Sequence, residues 1–276
     1  DSGSGAVGAG RVRPFGKTTL WILAAVAPLL LIAAALLRWD HVQRHAAARA
    51  EAARSARSVA RLIDLSVGMA LRQLQGLAGA SALERAVDHG DVARLTSEIA
   101  LFRHDPSWLG LLVVDSRGES LASVGTIESE DVQAAPETGG VAILPRRGFE
   151  PARAVVAAPI EVEGEERAWV LGSYSLRELE AALGQTETGG MTLLALPDGQ
   201  VLVGPAALEV DFRLSGAELR ARIRGEELVS AVEPVLGGIA RVVSLQDPGS
   251  FGTGSFAAVG GLLLAMLILA GSLLIG

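Results

Sequence analysis

Leu109-Gly-Leu-Leu-Val-Val-Asp115-Ser-Arg-Gly118-Glu-Ser-Leu121-Ala-Ser-Val-Gly125 is the stretch that decides the fold. A branched apolar run, Leu111 to Val114, stops at Asp-Ser-Arg-Gly. A second run with alternating apolar positions, Leu121 to Val124, follows at once. The Asp115 side chain can bond its own backbone through a tight turn, and Gly118 enters positive φ at little cost. The pattern therefore predicts a β-hairpin. A shorter version returns at Thr192-Leu-Leu-Ala-Leu-Pro-Asp-Gly-Gln-Val-Leu-Val-Gly204. Superposing Gly118 on Gly199 also pairs Leu112 with Leu193 and Leu121 with Leu202.

The repeat extends further. Ala154 to Ile160, a polar turn and Ala168 to Gly172 make the second half of one unit. Leu228 to Val235, Gly237-Gly238 and Ile239 to Leu245 make the second half of the next. Each half has a strand, a proline followed by a branched residue, a short turn and a returning strand. Tandem copies of one supersecondary plan follow from this.

Half of the 276 residues are hydrophobic and the mean hydropathy is +0.39, which points to membrane segments. With no cysteine, a disulfide framework and a thiolate metal site are excluded. The net charge of -7 is divided unevenly. Residues 1–39 hold Asp1 against Arg11, Arg13, Lys17 and Arg38, a sum of +3, which leaves -10 for the rest. Such an acidic body argues against nucleic acid as a partner, because phosphate binding requires clustered positive charge.

Thr18 to Leu37 is an uncharged apolar run of 20 residues, the length that crosses a hydrocarbon core of about 30 Å. Trp21 and Trp39 stand near its ends, where aromatic rings favour the interface. A cleaved signal peptide would have a shorter apolar core and a small-residue cleavage site, whereas Arg38-Trp39-Asp40 follows. Phe256 to Ile275 is a second uncharged span. Its Ala257, Gly261 and Ala265, spaced four apart, read either as a small-residue stripe suited to close helix approach or as incidental small residues on a lipid-facing helix. Two spans place both termini on one side of a membrane and residues 40–252 on the other. The chain stops as the second helix leaves the membrane with no cationic segment after it, so a continuation beyond Gly276 is expected. Residues 1–17 read as a flexible tail.

From His41 to Ala82 no proline occurs. Val59, Leu62, Ile63, Val67, Leu71, Leu74 and Leu77 recur at helical spacing, so a long amphipathic helix leaves the membrane. Ala82 to Val87 and Val92 to Phe102, the latter capped by Asp91, are further helices. Glu128 to Gly140 reads as an acidic loop, Leu176 to Leu183 as a connecting helix, and Leu214 to Gly225 as a helix inside the second unit.

Three local patterns carry a resemblance: Trp108 to Ser123, Pro159-Ile160 through Val170-Leu-Gly-Ser-Tyr-Ser-Leu-Arg-Glu-Leu179, and Leu194-Ala-Leu-Pro-Asp-Gly-Gln-Val-Leu202. With the helix and the two spans, residues 40–250 resemble the double-Cache sensor regions of bacterial receptors. That resemblance implies an α+β fold: two tandem PAS-like antiparallel-sheet modules on a long N-terminal helix, flanked by two transmembrane helices. The membrane-distal module would cover 83–184 and a shorter proximal one 185–252. It also implies a two-pass protein of the bacterial inner membrane with its sensor domain in the periplasm or outside the cell. A small ligand would bind the distal module, and the second span would pass the signal to a kinase, a cyclic-dinucleotide enzyme or a chemotaxis domain. Amino-acid-binding members place an aspartate where Gly172-Ser-Tyr-Ser175 stands, and no carboxylate occurs here.

No catalytic constellation is present, so no enzyme activity and no cofactor are expected of this chain. His41 and His45 lie four apart without a third ligand or a glutamate base between them, so they read as a solvated helix face. Glu161, Glu163, Glu165 and Glu166 around Gly164 read as a solvated turn. The candidate ligand residues are polar and aromatic side chains around the first sheet: Arg103, His104 and Trp108 beside its first strand, Arg146, Arg147 and Arg153 around Phe149, and Tyr174. An arginine fork suits a carboxylate and an aromatic wall buries the rest of a small organic anion. The competing reading makes Trp108 core and Arg146 and Arg147 loop surface, with salt bridges to Glu150 or Glu161 accounting for the arginine cluster. The expected partners are a small organic anion, the lipid bilayer and a second copy paired in parallel along 41–82. The alternative class is a two-span structural protein, a polysaccharide chain-length regulator or a secretion component, whose exposed domain would be built from long helices.

Overall fold

The computed structural model describes residues 17–135, 140–145, 151–183, 190–197, 199–204, 213–215, 218–223 and 226–251, with Gly261 and Ala265. It divides the chain into two compact units, Asp1–His45 with Gly252–Gly276, and Ala46–Phe251. Both sheets belong to the second unit.

Helix α1 runs Lys17–Ala78, followed by α2 (Ser81–Asp88) and α3 (Val92–Phe102). Asp91 caps α3 by accepting from the Arg94 N–H at 3.0 Å. Within the second unit, α1 buries Ala56, Ala60, Ile63, Val67, Ala70, Leu74 and Leu77, a ridge at alternating spacings of three and four. Glycine at position 79 and the extended Ala80 end the helical run before α2 begins.

The first sheet contains β1 (Trp108–Asp115), β2 (Ser120–Gly125), β3 (Gly140–Leu144), β4 (Arg153–Val162) and β5 (Glu165–Ser175), all antiparallel, in the order β2-β1-β5-β4-β3. The expected hairpin is present. Asp115 Oδ1 accepts from the Arg117 and Glu119 N–H groups at 2.9 and 2.8 Å, and Gly118 has φ +81°. The second sheet contains β6 (Met191–Ala195), β7 (Val201–Val203), β8 (Arg213–Ser215), β9 (Glu218–Ile223), β10 (Glu226–Val235) and β11 (Ala240–Gln246), in the order β7-β6-β11-β10-β9-β8.

The two sheets repeat each other in detail. The superposition that equates Gly118 with Gly199 also equates their bulges, at Val113/Val114 and Leu194/Ala195. Both prolines stand in strand interiors beyond the stretch paired on the far side. Pro159 follows the last β3 partner, Ala157, and Pro234 follows the last β9 partner, Leu228. There the missing N–H breaks no ladder.

One face of each sheet lies on the same core. Leu111, Val113, Val156, Ile160 and Val170 of the first sheet join Leu194, Val235 and Val242 of the second around Ile63, Val67 and Leu74 of α1. The second sheet is tied to α1 at two further points. Ser55 Oγ lies 3.0 Å from Thr192 Oγ1, which donates to Ser244 Oγ at 3.4 Å. Asp64 Oδ1 accepts from the Leu236 N–H at 2.7 Å, in a turn where Leu236 itself has φ +53°.

Two expectations change and one is met. The segment expected as a helix over Leu214–Gly225 contains strands β8 and β9. Leu219, Ala221 and Ile223 alternate with Arg220 and Arg222, a period of two that suits a strand. The expected loop Glu128–Gly140 contains α4 (Ser129–Ala134), and residues 140–144 form β3. The connecting helix is α5 (Arg177–Ala182). The eleven strands among the described residues between Trp108 and Gln246 are not the long helices that a structural two-span protein would carry there.

Among the described residues, no helix is long and apolar enough to cross a membrane. The run Thr18–Leu37 is helical within α1, with the side chains of 18–26 and 29 outside the described residues. The run Phe256–Ile275 lies outside them too, apart from Gly261 and Ala265, both helical and exposed.

Candidate ligand site

Strand alternation sorts the candidate residues onto two faces of the first sheet. Trp108 pairs with Tyr174 and Ala154 also pairs with Tyr174, so these share the face turned to α1. Trp108 is 2% exposed. Its ring lies 5.3 Å from Tyr174 at 76° and 5.9 Å from Phe102. Gly172 makes room for it: a Cβ there would stand 2.3 Å from the Trp108 ring. Trp108 and Tyr174 are thus core aromatics on the helix side.

Arg153 pairs with Ser175 and belongs to the opposite, outer face, together with Val155, Ala157, Leu171, Ser173, Leu112 and Val114. Helix α4 covers this face. Gly110 lets its approach lie close, since a Cβ there would meet Thr126 O at 2.4 Å and Ile127 Cγ1 at 2.9 Å. Ile127 and Val132 then pack together on Leu112, Val114, Ala157 and Leu171. They flank the first turn of α4 as the N′ and N4 residues of a hydrophobic staple.

The same turn carries the carboxylates that hold Arg153. Arg153 Nε donates to Asp131 Oδ1 at 2.6 Å, and its Nη2 donates to Glu128 Oε2 at 2.5 Å. Asp131 Oδ2 accepts from the Glu128 N–H at 3.0 Å. At the start of β4, Glu180 Oε1 accepts from the Ala152 N–H at 2.9 Å. Burial alone lowers the Arg153 pKa, but the hydrogen bonds and charges of Asp131 and Glu128 outweigh it and hold the value above the usual arginine range. The two carboxylates differ in exposure. The Asp131 side chain is 3% exposed and that of Glu128 is 36%.

One row across the sheet joins Gly125, Gly110, Ser173, Val155 and Ala142. Ser173 is fully buried, and its Oγ has no hydrogen-bond partner among the described residues. A buried hydroxyl left unpaired costs about 1–3 kcal/mol, so an unsatisfied donor and acceptor stands on the face that Arg153 and α4 frame.

Arg103 and His104 are exposed at the end of α3. A Cβ on Gly125 would lie 2.9 Å from Arg103 Cζ, so that guanidinium rests on the end of β2. Strands β1 and β5 separate β2 from β4, a step of about 14 Å at the usual strand spacing. Arg146 and Arg147, with Phe149, lie outside the described residues. Arg153 is therefore the candidate placed on the outer face, where Asp131 and Glu128 are among its partners; Glu150 lies outside the described residues. Neither Asp131 nor Glu128 was a sequence candidate. The signal available was an acid at a helix cap followed by another three residues on, behind Ile127.

No protein-family model and no curated protein matches the sequence. Several solved structures do match in fold. The ligand-binding domain of the Pseudomonas fluorescens chemoreceptor CtaA, in complex with L-isoleucine, is 14% identical with a TM-score of 0.54, over 72% of this chain and 92% of its own. The sensor domain of the V. cholerae histidine kinase DctB is 10% identical at 0.57, over 73% and 98%. The ligand-binding domain of the Campylobacter jejuni chemoreceptor Tlp3, in complex with L-valine, is 10% identical at 0.58, over 77% and 97%. Two repeated antiparallel sheets on one long helix, matched to these structures over nearly their whole length, give this chain the fold that these ligand-binding and sensor domains share.

Proposed function

We propose that this chain is the input region of a two-pass bacterial membrane receptor. A small organic acid binds the outer face of the first sheet, beneath α4, and the spans carry the change to an output domain beyond Gly276. The observation that carries the reading is the asymmetry at Arg153. Of its two described carboxylate partners, Asp131 is sealed in and Glu128 is within reach of solvent. A ligand carboxylate that replaces Glu128 on Nη2 gains a charge-assisted bond without leaving a buried charge unpaired. Ser173 Oγ offers a second contact on the same face. The sensor domains that share the fold, two of them holding amino acids, support a small ligand of this size. Arg146 and Arg147, in the β3–β4 connection, are retained as candidate contacts. Trp108 and Tyr174 stiffen the sheet from behind, and Arg103 and His104 belong to its far edge. Residues 40–252 are extracytoplasmic in this reading, and the membrane-distal and membrane-proximal modules are 83–184 and 185–252. Two copies pair in parallel along α1, through the exposed Leu62, Leu65 and Met69.

The test is thermal unfolding of the chain in detergent against a panel of monocarboxylates, dicarboxylates and amino acids. A binder should raise Tm, and Arg153→Gln should abolish the rise while Glu128→Gln preserves or enlarges it. If no acid shifts Tm, or Arg153→Gln leaves the shift intact, the site is not where we place it.

A further inference from the structure

The second sheet is an internal comparison for the face that holds Arg153. Equating Leu112 with Leu193 carries the strand registers along: Leu171 then corresponds to Val243, Ser173 to Leu245, Val155 to Ser230 and Arg153 to Leu228. In the second sheet this face is built as core. Leu245 is fully buried and packs with Leu193 and Val243, and Leu228 lies against them. The hydroxyl on the matching row, that of Ser230, is half-buried and has a partner. The shared plan therefore accepts leucine where the first sheet places Ser173, whose Oγ is buried with no hydrogen-bond partner among the described residues. A hydroxyl so placed opposes stability, and a bound group that meets it offsets the cost.

We propose that Ser173 Oγ is the specificity contact of the acid site, and that the ligand is a small carboxylic acid bearing a hydroxyl or carbonyl group. This rests on the carboxylate exchange at Arg153 given above. The two anchors lie diagonally on neighbouring strands, since Arg153 pairs with Ser175, two residues from Ser173 along β5. Such a diagonal is about 7–8 Å between Cα atoms, a span that a molecule of a few carbons bridges. The described surroundings of Ser173 on this face are apolar. Val155 and Leu171 flank it, and Ile127 stands over Gly110 beside it. The serine hydroxyl is both donor and acceptor, so a ligand hydroxyl or carbonyl satisfies it. A methylene leaves the oxygen as unpaired as before. An ammonium turned towards it would exchange full hydration for one neutral oxygen among apolar side chains, which is unfavourable. Hydroxy and keto acids are therefore expected ahead of both plain acids and amino acids.

Matched acids isolate the contact. Propionate, lactate, pyruvate and alanine differ at one carbon, as do succinate, malate and aspartate. Affinity for the full chain in nonionic detergent is measured by titration calorimetry, beside Tm with no acid present. Within at least one series the hydroxy or keto member should bind about tenfold tighter than its plain and amino counterparts, the effect of about 1.4 kcal/mol. In Ser173→Ala that advantage should vanish, and the ligand-free Tm should rise because the unpaired hydroxyl is gone. Arg153→Gln should abolish binding of every member. Equal affinities within each series, or alanine or aspartate as the tightest member, overturn the Ser173 contact; if binding is still lost in Arg153→Gln, the site at Arg153 stands. An advantage that persists in Ser173→Ala also overturns the contact, because the hydroxyl is then read elsewhere. A ligand-free Tm that falls in Ser173→Ala overturns it too, since the hydroxyl then serves the fold. No binding by any acid overturns the contact and the site together.

Discussion

Among the described residues, two carboxylates hold Arg153 that look alike in sequence and differ in what their loss should cost. Asp131, 3% exposed at its side chain, is the partner whose removal strands a buried guanidinium. Asp131→Ala should destabilise the chain by about 3–5 kcal/mol, the range for breaking a buried pair. Glu128, at 36%, is replaceable by water, and Glu128→Gln should cost less than about 1 kcal/mol. Denaturant unfolding of the two variants measures both, and equal losses would contradict the burial difference on which the ligand exchange depends. A second test at this scale is Gly172→Ala, which pushes a methyl to within 2.3 Å of the Trp108 ring. It should cost about 1–3 kcal/mol by overpacking, with loss of the tryptophan near-UV signal. Much of the site was hidden at this scale for a reason of period. Along a strand, Tyr174 and Ser175 point to opposite faces. Residue spacing alone could not say that Trp108 and Tyr174 stand back to back with Arg153, because that depends on the register between β1, β4 and β5.

Elements were more legible than sites, and the exceptions share a cause. The β1–β2 turn could be read because Asp115 and Gly118 act within five residues of one another. Asp91 announced α3 in the same way. The second-unit hairpin of β8 and β9 was misread as a helix because arginine suits either structure, and only the strict alternation from Leu219 to Ile223 separates them. Helix α4 was read as loop because its six residues are too few to show a helical period. Its stability comes from Arg153 and the staple, partners distant in sequence or outside the helix. The turn at Leu236 offers a prediction of its own. Leucine at φ +53° is strained, and the bond from its N–H to Asp64 holds it there. Asp64→Ala should cost about 1–2 kcal/mol. It should also speed hydrogen exchange at the Leu236 amide well before global unfolding; an unchanged exchange rate would mean the turn holds itself.

At the scale of the whole chain, the tandem repeat was legible because its second copy keeps the glycine, the proline and the returning strand at corresponding places. Matching bulges at Val113/Val114 and Leu194/Ala195 show that the correspondence extends to backbone detail. With two spans, reporter fusions at Gly140 and at the amino terminus should report opposite compartments. The same signal at both positions would remove the two-pass arrangement and the receptor reading with it.

The buried side of α1 changes character along its length. From Ala48 through Ala52 and Ala56 to Ala60, every fully buried side chain is a methyl group. From Ile63 onward the ridge carries Val67, Leu74 and Leu77. Methyl groups make shallow corrugations, whereas branched side chains interlock with the surface they meet. Beside the alanines, the lateral ties to the second sheet are hydroxyls, Ser55 to Thr192 and Thr192 to Ser244, which can trade partners by rotating. The alanine stretch of the helix thus offers its neighbours a smooth surface, and the stretch from Ile63 to Leu77 an interlocking one.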